Sequence, residues 1–243
     1  MKRSILTAAT ALILLLAFSL RAQAPAVLAA SEPHHKPVIQ NPYMRALRVS
    51  IPVNDATQLH EHNVPYVFVS LGAADFENDV AGKPVARVKM VDGQVGYSRG
   101  SFTHLVKTDA GIPFNNVTVE LLHPQGDPRN LCDKILPSDT GACDLSADEP
   151  GAQIGTRPLL ETDEIHVDQV TVRRGGDVMD KPHTLPALLI SASGAPIKVA
   201  RVPGVTTQVL HPGEMIWLPP NSQPKFTVDD APESRLVVIS FKD

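Results

Sequence analysis

Cysteine is nearly absent from this chain: Cys132 and Cys143 are the only two, with ten residues between them (143 − 132 − 1). A thiolate metal site would need more ligands than their short loop offers, so the natural reading is a Cys132–Cys143 disulfide in an oxidising compartment. By chain entropy such a bridge contributes about 2–3 kcal/mol. Charge of one sign is lacking too: the net charge is −4 with 20% charged residues, which gives no reason to expect nucleic acid or an anionic membrane as partner. Beyond the first residues no segment carries a long 3.6-residue apolar period, which argues against a helical fold. What is present is Val and Thr in short runs, bounded by Pro, Gly, Asn and Asp. That pattern predicts an all-β protein.

The one long apolar run is N-terminal. Lys2 and Arg3 precede Ile5 to Leu20, which carries no charge, and Arg21 then leads into Ala22-Gln23-Ala24. This is the pattern of a secretory signal peptide, too short to span a bilayer comfortably. Cleavage after Ala22, Ala24 or near Ala30 fits, with Pro25 disfavouring the second. Residues 1–30 are accordingly read as signal peptide and flexible tail, and the fold is expected to exclude residues to about Pro37. The mature protein is then periplasmic or secreted, with no stable membrane insertion. His34-His35 fall in the expected tail and are given no metal role.

An internal repeat organises the rest. His62-Asn63-Val64-Pro65 matches His183-Thr184-Leu185-Pro186 at an offset of 121 (183 − 62). Asp92-Gly93 meets Pro212-Gly213 at 120 (213 − 93), and Val117 to Val119 meets Leu236 to Val238 at 119 (236 − 117). A single long period repeated twice is a duplicated domain. The expected units are residues 38–123, a linker at 124–158 that carries the cysteines, and residues 159–243.

Within the first unit, His60-Glu61-His62 puts two imidazoles two residues apart, on one face of a strand. His104 follows the turns at Gly93 and Gly100. Imidazole is a usual ligand for Fe, Ni, Cu and Zn. Gln58 shares the strand parity of the two histidines and is expected to face inward as a ligand contact. Tyr66 is read as either a pocket hydroxyl or barrel packing. Asn116-Val117-Thr118 fits a glycosylation triplet but sits on an expected strand, and nothing is assigned to it.

These residues resemble the cupin superfamily. His60 and His62 match its first motif, and Gly93 and His104 its second, with the spacing of that family between them. Asn54, Arg99, Ser101 and Thr108 depart from motif positions, and Tyr66 and Val67 stand where a glutamate ligand is expected. The resemblance implies two tandem jelly-roll β-barrels, a bicupin. Its first barrel would hold one divalent transition metal ion (Fe, Mn, Zn, Ni or Cu) on His60, His62 and His104, the ligand set of three-histidine cupins. In the second unit Lys181, His183 and Gln223 or Pro224 align with those ligands, so that barrel is expected to hold no metal. The function implied is an exported metal-binding cupin acting on or binding a small molecule, with dioxygenase-like oxidation as the enzyme class. A non-catalytic small-molecule-binding or structural bicupin of the cell envelope is the alternative, and a homodimer is left open.

Overall fold

The computed structural model describes residues 25–131, 152–175, 178–179, 182–202, 206–229 and 231–242. Cys132, Cys143 and Lys181, and with them the expected disulfide, lie outside the described residues. The described chain is built from strands, with one 3-10 turn at Ala29–Ser31.

The first barrel is made of β1 (Val27–Leu28), β2 (His35–Gln40), β3 (Met44–Ile51), β4 (His60–His62), β5 (Tyr66–Ser70), β6 (Ala74–Val80), β7 (Ala86–Met90), β8 (Val95–Ser98), β9 (Phe102–Lys107) and β10 (Phe114–Leu121). They form two facing sheets, ordered β1-β4-β9-β6-β7 and β2-β3-β10-β5-β8. The second barrel follows a short β11 (Arg129–Asn130). It comprises β12 (Ile154–Glu161), β13 (Ile165–Arg173), β14 (Val178–Met179), β15 (Ala187–Gly194), β16 (Ile197–Val202), β17 (Thr206–Leu210), β18 (Met215–Leu218), β19 (Gln223–Thr227) and β20 (Glu233–Phe241). Its sheets run β11-β12-β13-β20-β15-β18 and β14-β19-β16-β17.

From β2 to β10 each strand therefore has a counterpart ten labels later, with the same neighbours. The registers agree in detail. β2 slips between Pro37 and Ile39 where it pairs with β3, and β12 slips between Pro158 and Leu160 where it pairs with β13. The same bulge recurs at the expected offset of 121 (158 − 37). In the last strand the register corrects the sequence alignment. Leu121 faces Met44 and Phe241 faces Ile165, so β10 and β20 are offset by 120 (241 − 121), not 119.

Two boundaries also shift. The first barrel begins at Val27 rather than 38, because β1 lies parallel to β4 and β2 completes the sheet beside β3. The second begins at Ile154 rather than 159, and the expected linker contributes β11 to its sheet. Strand β6 escaped the sequence reading because Asp75, Glu77 and Asp79 interrupt it. Its inward residues are Ala74, Phe76 and Asn78, a face that polar Asn78 disguises.

The core has three parts. Leu47, Val49, Ile51, Phe76, Val106 and Phe114 fill the first barrel, and Val172, Leu189, Val199, Leu218, Phe226 and Val238 fill the second. The third part joins the barrels. Met44, Ala46, Val67, Val69, Val117 and Val119 from the first pack on Ile165, Val167, Leu188, Ile190, Val237 and Ile239 from the second. Strand alternation explains the division: in β10, Val117 and Val119 face the other barrel while Asn116 and Thr118 face inward.

A shared apolar face of this kind couples the two barrels. Calorimetry is expected to show one cooperative unfolding transition. Leu188→Ala, at a cost of about 2–5 kcal/mol, should lower that transition as a whole. Two resolved transitions, only one of them moved by Leu188→Ala, would contradict the coupling.

Candidate metal centre

Strand β4 is only three residues long, with His60 and His62 buried and Glu61 exposed. Antiparallel pairing sets His104 of β9 directly opposite His60. The ring centroids of His104 lie 4.4 Å from His60 and 5.1 Å from His62. The structure thus brings together the three histidines expected from the sequence. It adds a fourth. His35 of β2 is buried, with its ring 4.7 Å from that of His60. Ligand nitrogens of His35, His60 and His62 lie within 4.8 Å of one another, and His104 flanks the group.

His35 belongs to a segment expected to be a flexible tail. Packing, not local sequence, fixes it: β2 pairs with β3, and His35 sits opposite Val49, whose side chain lines the barrel interior. A sequence signal was nevertheless present. Lys36-Pro37-Val38-Ile39 matches Arg157-Pro158-Leu159-Leu160 at the repeat offset of 121 (157 − 36), which would have extended the first unit back through His35.

Three of the four rings are oriented from behind. Nδ1–H of His60 donates to the Gln58 carbonyl at 2.9 Å, and Nδ1 of His104 to Asn78 Oδ1 at 2.7 Å. Nδ1 of His35 donates to Glu32 Oε2 at 2.6 Å. These bonds leave the Nε2 lone pairs facing inward, the tautomer that outer carboxylates and carbonyls impose on metal-bound imidazoles. The Nε2 atoms of His60 and His104 and Nδ1 of His62 are buried with no hydrogen-bond partner. A buried polar atom left unpaired costs roughly 1–3 kcal/mol, so three of them within one histidine cluster call for a ligand.

Glu32 anchors this arrangement. Its carboxylate is fully buried and accepts hydrogen bonds from the rings of His34 and His35 and from the backbone N–H of His34 and Gln58. Burial pushes its pKa up, but the hydrogen bonds prevail and hold it down at about 2. The carboxylate that cupins place among the ligands is thus replaced by one that stands behind His35.

Gln58 itself does not face inward. Regular pairing starts only at His60, so the parity argument fails two residues earlier; the Gln58 side chain is exposed and only its backbone serves the site. Tyr66 does line the cavity. Its ring packs 4.4 Å from that of His62, while burial pushes its pKa to about 12 despite a hydrogen bond with Ser98, so the phenol stays neutral. Asn116 is buried in the barrel, which closes the glycosylation triplet to a glycan in the folded chain.

The motif departures are absorbed by backbone geometry. Asn54 and Ser101 both take left-handed φ values, 59° and 60°, at positions where glycine was expected. The second barrel lacks the site. His183 occupies the place of His62, bridged to Ser222 as His62 pairs with Phe102. By the same registers Thr156 stands for His35 and Pro224 for His104.

Comparison with solved structures assigns the architecture. A cupin 2 conserved barrel domain protein from Leptotrichia buccalis superposes with TM-score 0.54 at 9% identity, over 86% of this chain and 88% of that one. The fold is that of the cupins. The salicylate 1,2-dioxygenase of Pseudaminobacter salicylatoxidans superposes with TM-score 0.57 at 11% identity, over 85% of this chain and 75% of that one. Streptomyces albus HEPD, with 2-hydroxyethylphosphonate and Fe(II) bound, gives 0.58 at 11% identity, over 85% and 70%. No family model matches the chain, and no curated relative does.

The cupin site imposes a pH dependence on its own fold. Burial, reinforced by the neighbouring histidines, lowers His62 to about 2 and His104 to about 3; burial also lowers His60, to about 4. In the unfolded chain these imidazoles protonate near 6.5. Stability of the metal-free chain is therefore full above about 6.5 and falls as pH drops towards about 4, by about 1.4 kcal/mol per unit for each ring. Glu32 does not act in this window, since its contribution is lost only below its usual 4.5. The metal-free Tm at pH 5 is expected to lie more than about 5 °C below that at pH 7.5. An unchanged Tm would show that the rings protonate inside the fold.

Proposed function

We propose that this chain is an exported cupin that holds one divalent transition metal ion in its first barrel and binds or oxidises a small molecule there. The observation that carries the reading is the cluster of His35, His60 and His62, whose ligand nitrogens lie within 4.8 Å of one another, flanked by His104, with buried unpartnered nitrogens on His60, His62 and His104. An all-imidazole set suits Fe, Mn, Zn, Ni or Cu. When bound, such an ion supplies Lewis acidity and, for Fe, Mn or Cu, redox chemistry. Burial keeps His60, His62 and His104 neutral, so these rings leave its charge undiminished. Glu32, Asn78 and the Gln58 carbonyl hold the rings in position. The likeness to a salicylate dioxygenase and to an Fe(II)-bound HEPD favours a dioxygenase-like oxidation. A second reading is a non-catalytic binder. It is favoured by the cavity lining, which offers no carboxylate or lysine as a separate general base.

Metal analysis of the purified chain, expressed with these metals supplied, is expected to give one ion per chain. His60→Ala should empty the site. Glu32→Gln should weaken affinity about 10- to 100-fold, as outer-shell losses do. His183→Ala should leave metal content unchanged. Metal lost with His183→Ala and retained with His60→Ala would overturn the assignment. Metal bound without oxygen consumption across a substrate panel would favour the binder.

Export is part of the proposal, and the fold bears on where the signal is cut. Val27 N–H donates to the Leu59 carbonyl at 3.1 Å, Val27 and Leu28 pair with His60 and Glu61, and Ala29 is buried. Cleavage after Ala30 would remove this support of the metal strand. N-terminal sequencing of the exported protein is expected to begin at Gln23; a start at Ser31 would refute this.

A further inference from the structure

The cavity in front of the histidines is small. It measures about 150 Å³, and besides the four rings it is lined by Phe68, Phe76, Met90, Phe114, Asn116 and Thr118 among others. An apolar cavity of that volume holds a benzene-sized guest, roughly six or seven heavy atoms. None of the lining residues is Arg, Lys, Asp or Glu. A charged guest group placed there would lose its hydration without a partner, a cost of several kcal/mol. The only positive charge such a guest could meet is the ion of the preceding proposal.

The polar lining groups are largely committed to one another. Thr118 Oγ1 donates to Asn116 Oδ1 at 2.9 Å, which leaves the Asn116 amide hydrogens as donors. Asn78 is occupied by His104 and Tyr66 by Ser98. At the other side Phe76 and Phe114 stack with centroids 4.3 Å apart, next to Met90 and Val106. Phe68 closes the wall by lying over Gly96, its cross-strand partner, where any Cβ would run into the ring. The wall is thus built by the sequence, because Gly96 is the residue that admits this ring.

We infer that the ligand of this site is a compact, mainly apolar molecule of about six or seven heavy atoms with one metal-binding head and no second charged group. This rests on the metal-site reading for the head; the size and charge limits rest on the cavity alone. Two sets of measurements separate the two. In the metal-free chain, fluorine NMR should show fluorobenzene binding at least tenfold more tightly than 4-fluorobenzoate or 1-fluoronaphthalene. Phe68→Ala, or Phe68→Leu if the first does not fold, should admit 1-fluoronaphthalene. In the Co(II)-loaded chain, acetohydroxamate should bind at least tenfold more tightly than the monohydroxamate of succinate, read from the visible spectrum. Failure of fluorobenzene to bind, or equal binding of the benzoate or the naphthalene, would overturn the inference, as would preference for the succinyl probe. If the chain takes up no Co(II), the metal reading fails by itself, and the fluorobenzene ranking still decides the size and charge limits.

Discussion

In the sheet β2-β3-β10-β5-β8 the central strands β10 and β5 are buried on both faces, and the rest of the molecule depends on that constraint. One face packs against the second barrel through Met44, Ala46, Val67, Val69, Val117 and Val119. The other supplies His35, Val49, Tyr66, Phe68, Asn116 and Thr118 to the cavity. A strand whose odd and even residues are both buried has no tolerance for a slip in register, since a shift of one would exchange the two sets. Positioning of His35 on this sheet is therefore tied to the packing between barrels, while His60, His62 and His104 stand on the facing sheet.

Duplication gives this arrangement its meaning. The second barrel repeats the strand order, the bulge and the apolar faces, but it carries Thr156 and Pro224 where the first carries His35 and His104. Its interior is filled by Phe226, Leu189 and Val199 instead of being hollow beside a cluster of rings. Among the described residues the histidine cluster belongs to the first barrel, and the second packs an apolar interior. Burying neutral imidazoles is unfavourable to the fold at low pH and leaves polar atoms unpaired, as is usual where function overrides stability.

The N-terminal segment is the less obvious part of the design. Glu32 is buried against two histidines and the backbone of Gln58, so the strand that brings in His35 is also tied to the loop before His60. A carboxylate in this position sets the tautomer and direction of the His35 ring from outside the cluster. The protein thereby departs from the histidine–glutamate pattern of the cupins while keeping a glutamate in the centre's outer layer.

By itself the sequence determined the all-β class, and it pointed to the repeat and to three of the four histidines that the structure brings together. Each of these is written in local spacing: a period of two along a strand, a turn residue, an offset held constant over a domain length. It did not reveal that Gln58 turns outward, because a strand's parity holds only where pairing begins, and pairing with β9 starts at His60. It concealed β6, whose inward residue is an asparagine that orients His104. The repeat offset could extend the first unit back through His35, but that its ring joins the cluster was decided by tertiary structure. Its neighbours in sequence are Pro33, His34 and Lys36, a polar stretch with no strand signature. What buries it is pairing with β3 and the hydrogen bond to Glu32, contacts that exist only once the sheet has closed.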